Sequence, residues 1–398
     1  MQSASPRKVC YLAPDVPIPY PSGAAVHITE VAASLREMGH DVHVIARRSS
    51  YGEPKVETID GVMIHRVNRF ILRPGGRRAS SGSRDAGSGS VVGSLYYLYL
   101  RTLFMVYASL VARRVMARYG LDAIIERETS FGAGGLTSLL TGKPLVLEIV
   151  GPRYSRLSAR LSSSILYYTE SMLHDWVDRR KCVKVTAGVN LELFRPDPDA
   201  RQLIRSKLCL GGDPVIGYAG SFQEWHGVEA ALRAVSLLKE RSAKVNLLLV
   251  GPSFEPYVSI AKELGISEQC TFVGPVGYKD VPAYINACDI LVAPYDPSKD
   301  PLRREFGIGS PIKVLEYMAC EKPVVSTSVP PIDSMLGGSE AVVLVKPGDP
   351  ASLADALEGL ILDPGKAARM AKDGSRLVAE RYSWMSFTRV LSSQIAAA

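Results

Sequence analysis

The feature that most constrains this chain is a series of short, almost unbroken Val/Ile/Leu runs, each followed by a stretch of helical length, that passes along the sequence twice. VCYL, DVHVIA, DAIIE and PLVLEIV belong to the first pass; VIGYAG, VNLLLVG, CTFVG, DILVAPY, PVVST and AVVLV belong to the second. Strands that are apolar on both faces are covered on both faces, and strands alternating with helices form parallel sheets. The expected class is α/β, with two doubly wound parallel-sheet domains facing each other across a cleft at the carboxyl ends of their strands. A length of 398 residues is enough for two cores.

The expected divisions are a first domain over residues 1–195, a linker over 196–212 that carries Pro, Asp and a Gly-Gly pair, a second domain over 213–380, and a last helix over 381–398 packing back towards the first domain. Residues 73–93 are rich in Gly, Ser and Arg and read as a mobile loop over the cleft, because they lack the apolar surface that offsets ordering entropy. Arg73, Arg77, Arg78 and Arg84 in it suit an anionic acceptor or a lipid. Leu95 to Tyr119 is apolar and aromatic, is interrupted by Arg101 and carries Arg113-Arg114 near its end, so it reads as a core helix or one that contacts a membrane surface.

A net charge of +7 suits phosphorylated ligands or an anionic membrane, while the absence of a lysine-rich tail argues against nucleic acid as a partner. The six cysteines have no CxxC or Cys/His spacing, which predicts free thiols in a reducing cytoplasm and neither zinc nor a disulfide framework. MQSASPRK leads straight into a strand with no secretory apolar segment.

Glu305 to Val329 carries the densest chemistry. Ser310 is placed to cap a helix and Pro311 to begin it. Gly307 and Gly309 just before it let an anion approach backbone N–H groups at the positive end of the helix dipole. Lys313 and Glu316 share a face, and Glu316 lies roughly 7.5 Å along the axis from Pro311, about the distance from a diphosphate to a ribose diol. A second turn of this kind, GSFQEWHGVEAAL, places His226 before Gly227 and a helix start, where it is positioned to donate to a diphosphate oxygen. In the first domain Gly23 opens a helix, with His27 one turn into it, and no G-x-G-x-x-G is present.

PSGAAVHITEVAASLREMGHDVHVIAR, AGVNLELFRPD and SPIKVLEYMACEKPVVSTSV together resemble the retaining nucleotide-sugar glycosyltransferases of GT-B fold, family 4, over nearly the whole chain. That resemblance implies two Rossmann-like domains, a nucleoside-diphosphate sugar (UDP or GDP) as donor, a sugar, lipid or metabolite hydroxyl as acceptor, and no metal or other cofactor. By position it makes His226, Lys313 and Glu316 the catalytic set and places Gly23, Ser221, Val276, Gly307, Gly309, Ser310 and Pro311 on the donor. His27, Arg127, Glu148 and Gly151 are the acceptor-side candidates.

The sequence departs from the family in places. The first glutamate of the E-x7-E motif falls at Ile308, with Glu305 as the nearby substitute, and the usual arginine and lysine of the diphosphate loop fall at Ser221 and His226. An imidazole in a lysine's place predicts activity that titrates near its ordinary pKa of about 6.5. A nucleotide-sugar epimerase and a non-catalytic binding protein of the same fold stay open at this point, as does peripheral contact with the inner face of a membrane.

Overall fold

The structure is a computed structural model, and it describes residues 5–18, 22–50, 52–68, 91–127 and 132–397. Most of the loop expected over 73–93 lies outside the described residues, and its last three positions are already helical. The chain forms two compact units, Met1–Val185 with Phe387–Ala398, and Thr186–Ser386.

The first unit runs β1 (Lys8–Pro17), α1 (Gly23–Glu37), β2 (Asp41–Arg47), β3 (Val56–Ile59), β4 (Val62–Val67), α2 (Val91–Tyr119), β5 (Ala123–Arg127), α3 (Ala133–Thr141), β6 (Leu145–Ile149), α4 (Arg156–Leu161), β7 (Ser164–Tyr167) and β8 (Cys182–Lys184). Its strands lie in the order β3-β4-β2-β1-β5-β6-β7-β8, all parallel except β3 against β4. That hairpin turns on Asp60 (φ 46°) and Gly61 (φ 76°), the paired left-handed geometry that an Asp-Gly turn favours. Ser22 caps α1 by accepting from the Ala25 N–H at 3.2 Å. The inner face of α2, with Phe104, Ala108, Ala112 and Met116, packs on Cys10, Leu12, Ile45 and Ile124 of the sheet.

The second unit runs α5 (Pro198–Lys207), β9 (Val215–Ala219), α6 (Val228–Glu240), β10 (Asn246–Val250), α7 (Glu255–Glu263), β11 (Cys270–Val273), α8 (Val281–Ala287), β12 (Ile290–Ala293), α9 (Pro301–Phe306), α10 (Ile312–Ala319), β13 (Val324–Thr327), α11 (Ile332–Leu336), β14 (Val343–Val345), α12 (Pro350–Leu362) and α13 (Pro364–Arg381). The strand order is β11-β10-β9-β12-β13-β14, wholly parallel, so the order reverses between β9 and β12. A last helix, α14 (Trp384–Ala397), has its residues from Phe387 onward in the first unit, where Ser392 meets His40 at 2.7 Å and Gln394 meets Ser164 at 2.9 Å.

The expected linker over 196–212 is corrected by α5. Asp197 and Pro198, which look like linker composition, are the N-cap and first residue of a helix, and Arg201 and Arg205 clamp Asp289 at 2.6 and 2.5 Å. Those residues belong to the second unit.

Candidate active site

In an open parallel sheet, ligands sit beyond the carboxyl ends of the strands where the strand order reverses. In the second unit that point lies between β9 and β12, and the sequence-derived donor residues gather there. Tyr317 of α10 fastens its helix to the end of β9, its hydroxyl donating to the Ala219 carbonyl and accepting from the Ala219 N–H, each at 2.9 Å. The next residue, Gly220, lies against the Lys313 stem, and a Cβ there would stand 2.1 Å from Lys313 Cε. Only glycine leaves that passage open.

Lys313 therefore reaches across to the loop after β9. Its Nζ donates to His226 Nε2 at 3.2 Å and lies 5.4 Å from the Tyr295 ring centre and 5.7 Å from that of Tyr218. His226 Nδ1 lies 2.6 Å from the Ser221 carbonyl, a contact that requires the proton on Nδ1 and leaves Nε2 as acceptor. Burial, then the Lys313 ammonium, push the His226 pKa down to about 2, and the bond to the Ser221 carbonyl only partly opposes them. Burial and the neighbouring ammonium thus favour the neutral ring, with Lys313 as the cation, whereas the imidazolium expected at His226 is one beside a bound diphosphate. Burial brings the pKa of Lys313 down to about 8 against the attraction of Glu316.

Arg303, on α9, supplies a second positive group. Its guanidinium stacks 4.6 Å from the centre of the Trp225 ring, and its Nη1 would lie 3.5 Å from a Cβ on Gly309. Gly307 (φ 80°) and Gly309 (φ 76°) turn the chain between α9 and α10. Ser310 does not cap α10 as expected. Pro311 is the N-cap instead: its carbonyl accepts from the Val314 N–H at 3.0 Å, its ring has no atom to offer as a side-chain cap, and Ser310 Oγ is buried with no partner among the described residues. Glu305 is exposed on α9 and Ile308 is buried, so neither puts a carboxylate in the first position of the motif. Glu316 is buried, and the Tyr278 hydroxyl donates to its Oε1 at 3.1 Å. Half-buried Val276, two residues before Tyr278, packs beside this edge of the core.

In the first unit the structure brings His27 and Glu148 together and closes them off. His27 Nε2 and Glu148 Oε1 are 2.8 Å apart, and Glu148 also accepts from the hydroxyls of Tyr168 at 2.7 Å and Tyr11 at 3.1 Å. Burial opposes the Glu148 charge, but His27, Arg127 and the Tyr168 hydroxyl outweigh it and hold the carboxyl well below its usual range. Burial pushes His27 down, which leaves it a neutral donor, and the Phe387 ring stands edge-on at 5.3 Å. The expectation that His27 and Glu148 touch an acceptor is thereby corrected, since both are buried and bonded to each other. Arg127 and Gly151, at the ends of β5 and β6, are half-buried, and Gly23 and Gly151 have open space where a Cβ would be.

Two family descriptions match the chain, Glycosyltransferase Family 4 over residues 21–187 and Glycosyl transferases group 1 over residues 200–377. The chain belongs to the family 4 glycosyltransferases of GT-B fold. A D-inositol 3-phosphate glycosyltransferase of Streptomyces avermitilis is 27% identical over 396 residues, 91% of this chain and 80% of that protein. The GDP-mannose-dependent alpha-(1-6)-phosphatidylinositol monomannoside mannosyltransferase of Mycolicibacterium smegmatis is 30% identical over 202 residues, 50% of this chain and 51% of that protein. Among solved structures, Anabaena HepE in complex with UDP and glucose matches the fold with a TM-score of 0.72 at 16% identity, covering 98% of this chain and 100% of that one.

Sequence reading of this glycosyltransferase missed Arg303 and Tyr278. Arg303 stands ten residues before Lys313 on a separate short helix, and only the aromatic Trp225 beside His226 hinted that a stacking cation was needed. Tyr278 follows the strand end already assigned to the donor, but nothing in the spacing ties it to Glu316.

Proposed function

We propose that this glycosyltransferase moves a hexose-type sugar from a nucleoside diphosphate, UDP or GDP, to the hydroxyl of a sugar, lipid or metabolite, with retention at the anomeric carbon. One observation carries the reading. At the strand reversal of the second unit Lys313 and Arg303 contact a neutral imidazole and aromatic rings, and are attracted by Glu316 and Asp300 without a salt bridge among the described residues, beside a buried hydroxyl of Ser310 that has no partner among the described residues. Positive groups and a donor held in this way call for an anion, and a diphosphate supplies it.

Glu316, held by Tyr278 further along α10, takes the ribose diol in this reading, and the base lies along Val273 to Val276. As the bond from the anomeric carbon to the diphosphate oxygen breaks, negative charge grows on that oxygen, where Lys313, Arg303 and the N–H groups before α10 offset it. The acceptor oxygen bonds to the same face of the sugar, and its proton passes to an oxygen of the departing phosphate. Atoms and charge balance without a protein nucleophile. The positive charge comes from side chains, so activity is expected to survive a chelator.

The relatives' names point to inositol-containing or mannosyl chemistry in those proteins. Here the acceptor stays a hydroxyl of the classes given above, with Arg127 and Gly151 as the half-buried candidates of the first unit. The test is acceptor-dependent release of nucleoside diphosphate from UDP- and GDP-sugars, with and without EDTA, and NMR assignment of the product anomer. Inversion, or no acceptor-dependent release with either nucleotide, overturns the proposal.

A further inference from the structure

The outer side of α2 is apolar and unusually regular. Tyr96, Tyr99, Leu103, Val106 and Leu110 are spaced 3-4-3-4 and are 38–58% exposed, so they form one stripe opposite the buried Phe104, Ala108 and Ala112. At about 1.5 Å per residue the stripe runs roughly 21 Å. One turn beyond its end the same side of the helix becomes basic, with Arg113, Arg114 and Arg118, and the whole of α2 holds four arginines and no carboxylate.

A cleft of about 410 Å³ opens beside that basic end, between α2 and the β3–β4 hairpin. Lys55, Arg114 and Arg118 stand exposed on its walls, and none of its lining residues is acidic. Arg66, deeper in the cleft, is already neutralised by Glu57 at 2.6 Å and Glu53 at 3.6 Å. The free positive charge therefore belongs to the three residues at the mouth. Tyr107 and Tyr119 complete the walls.

We infer that this face docks on an anionic lipid bilayer, with the apolar stripe lying in the headgroup boundary and a lipid phosphate seated at Lys55, Arg114 and Arg118. Charge selects this occupant. A second copy of α2 offers these arginines no carboxylate, and a small soluble anion fills the cleft but leaves an apolar stripe of roughly 21 Å in water. An interfacial helix needs both an apolar face and basic residues, and α2 has them in sequence along one side. No helix among the described residues is long and apolar enough to cross a membrane, and this geometry requires none. The inference is independent of the donor site, which lies in the other unit.

The test is sedimentation of the full chain with vesicles of phosphatidylcholine, alone or with phosphatidylglycerol, at low and physiological salt. The expected result is binding to the anionic vesicles only, weakened by salt. Each cation near an anionic surface contributes roughly fivefold in affinity, so Lys55→Gln/Arg114→Gln/Arg118→Gln is expected to lose on the order of a hundredfold. Leu103→Ser/Leu110→Ser is expected to weaken binding several-fold, with circular dichroism and oligomeric state unchanged. Equal or absent binding to the two vesicle types overturns the inference, as does binding that survives both variants. A change of oligomeric state in the serine variant assigns the stripe to a second copy instead. Saturable binding of inorganic phosphate at the cleft without vesicle binding assigns the cleft to a soluble anion; either result also overturns the inference.

Discussion

Each unit of this glycosyltransferase holds a buried histidine beside a charged partner, and the two pairs are built on opposite principles. In the first, His27 donates to a carboxylate that also takes two tyrosine hydroxyls, so the negative charge of Glu148 is met within the protein. In the second, His226 accepts from a lysine, and the Arg303 guanidinium stands on the neighbouring indole. The first network meets its carboxylate with donors from the protein; the second holds two cations with no salt-bridged carboxylate among the described residues. A buried polar cluster that satisfies itself holds the fold, whereas one that leaves charge and a donor over describes its ligand.

The largest expected effect breaks the comparison from the closed side. Glu148→Ala leaves His27, Tyr11 and Tyr168 as buried donors without their acceptor, and losing one member of a buried charged network costs about 3–5 kcal/mol. Chemical denaturation should show that loss, while nucleoside-diphosphate affinity at the second unit stays within about twofold. A large fall in affinity with unchanged stability would reverse the roles assigned to the two clusters.

Lys313→Met is the counterpart on the open side. It should leave the melting temperature nearly unchanged or raised, because a buried cation is removed, and lower kcat/KM by roughly 10²–10³, as losing a positioned charge-stabilising donor does elsewhere. Retained activity would remove Lys313 from the leaving-group role.

The pH profile separates the two residues of the open pair. Lys313 is charged below its pKa, which burial has brought down to about 8, so kcat/KM should fall as pH rises through about 8. His226, held near 2, is neutral throughout the working range and contributes no limb between pH 5 and 8. Lys313→Arg, charged at every accessible pH, should flatten the alkaline limb. A limb near pH 6.5 that vanishes in His226→Asn would show that imidazolium forms in the complex after all.

The smallest effect sharpens the account of how the open site is held. Tyr278→Phe removes one hydrogen bond to the Glu316 carboxylate and should raise the dissociation constant of a nucleoside diphosphate about tenfold or less. The loss should disappear with a 2′,3′-dideoxy nucleotide, since Tyr278 acts by orienting Glu316 towards the diol. An equal loss with both nucleotides would make Tyr278 merely structural.

The fold was largely legible in the sequence because strands covered on both faces write themselves as continuous Val/Ile/Leu, and turns such as Asp60-Gly61 carry their own geometry. The linker was misread because Asp197-Pro198 signals a helix start as well as a loop, and only the Asp289 contacts decide between them. At the site, Lys313 and Glu316 were legible because one helix fixes their spacing. Protonation was not: which of His226 and Lys313 carries the charge depends on the Ser221 carbonyl, which accepts the Nδ1 proton through a fold in the backbone. Arg303 went unseen for a similar reason, since its partner Trp225 lies far away in sequence.

The two strands of chain that join the units run side by side. Val189 donates to the Tyr382 carbonyl at 2.9 Å and accepts from the Trp384 N–H at 3.3 Å, and Gly188 passes so close to Trp384 that a Cβ would lie 2.5 Å from its nitrogen. Residues 186–386 are in effect an insertion into the first unit, whose Phe387–Ala398 stretch is made only after them. On the ribosome, the first unit is therefore begun before the second and completed after it. Its sheet must wait, with His27 lacking its Phe387 neighbour and Ser164 its Gln394 partner, until the whole of the other half has emerged.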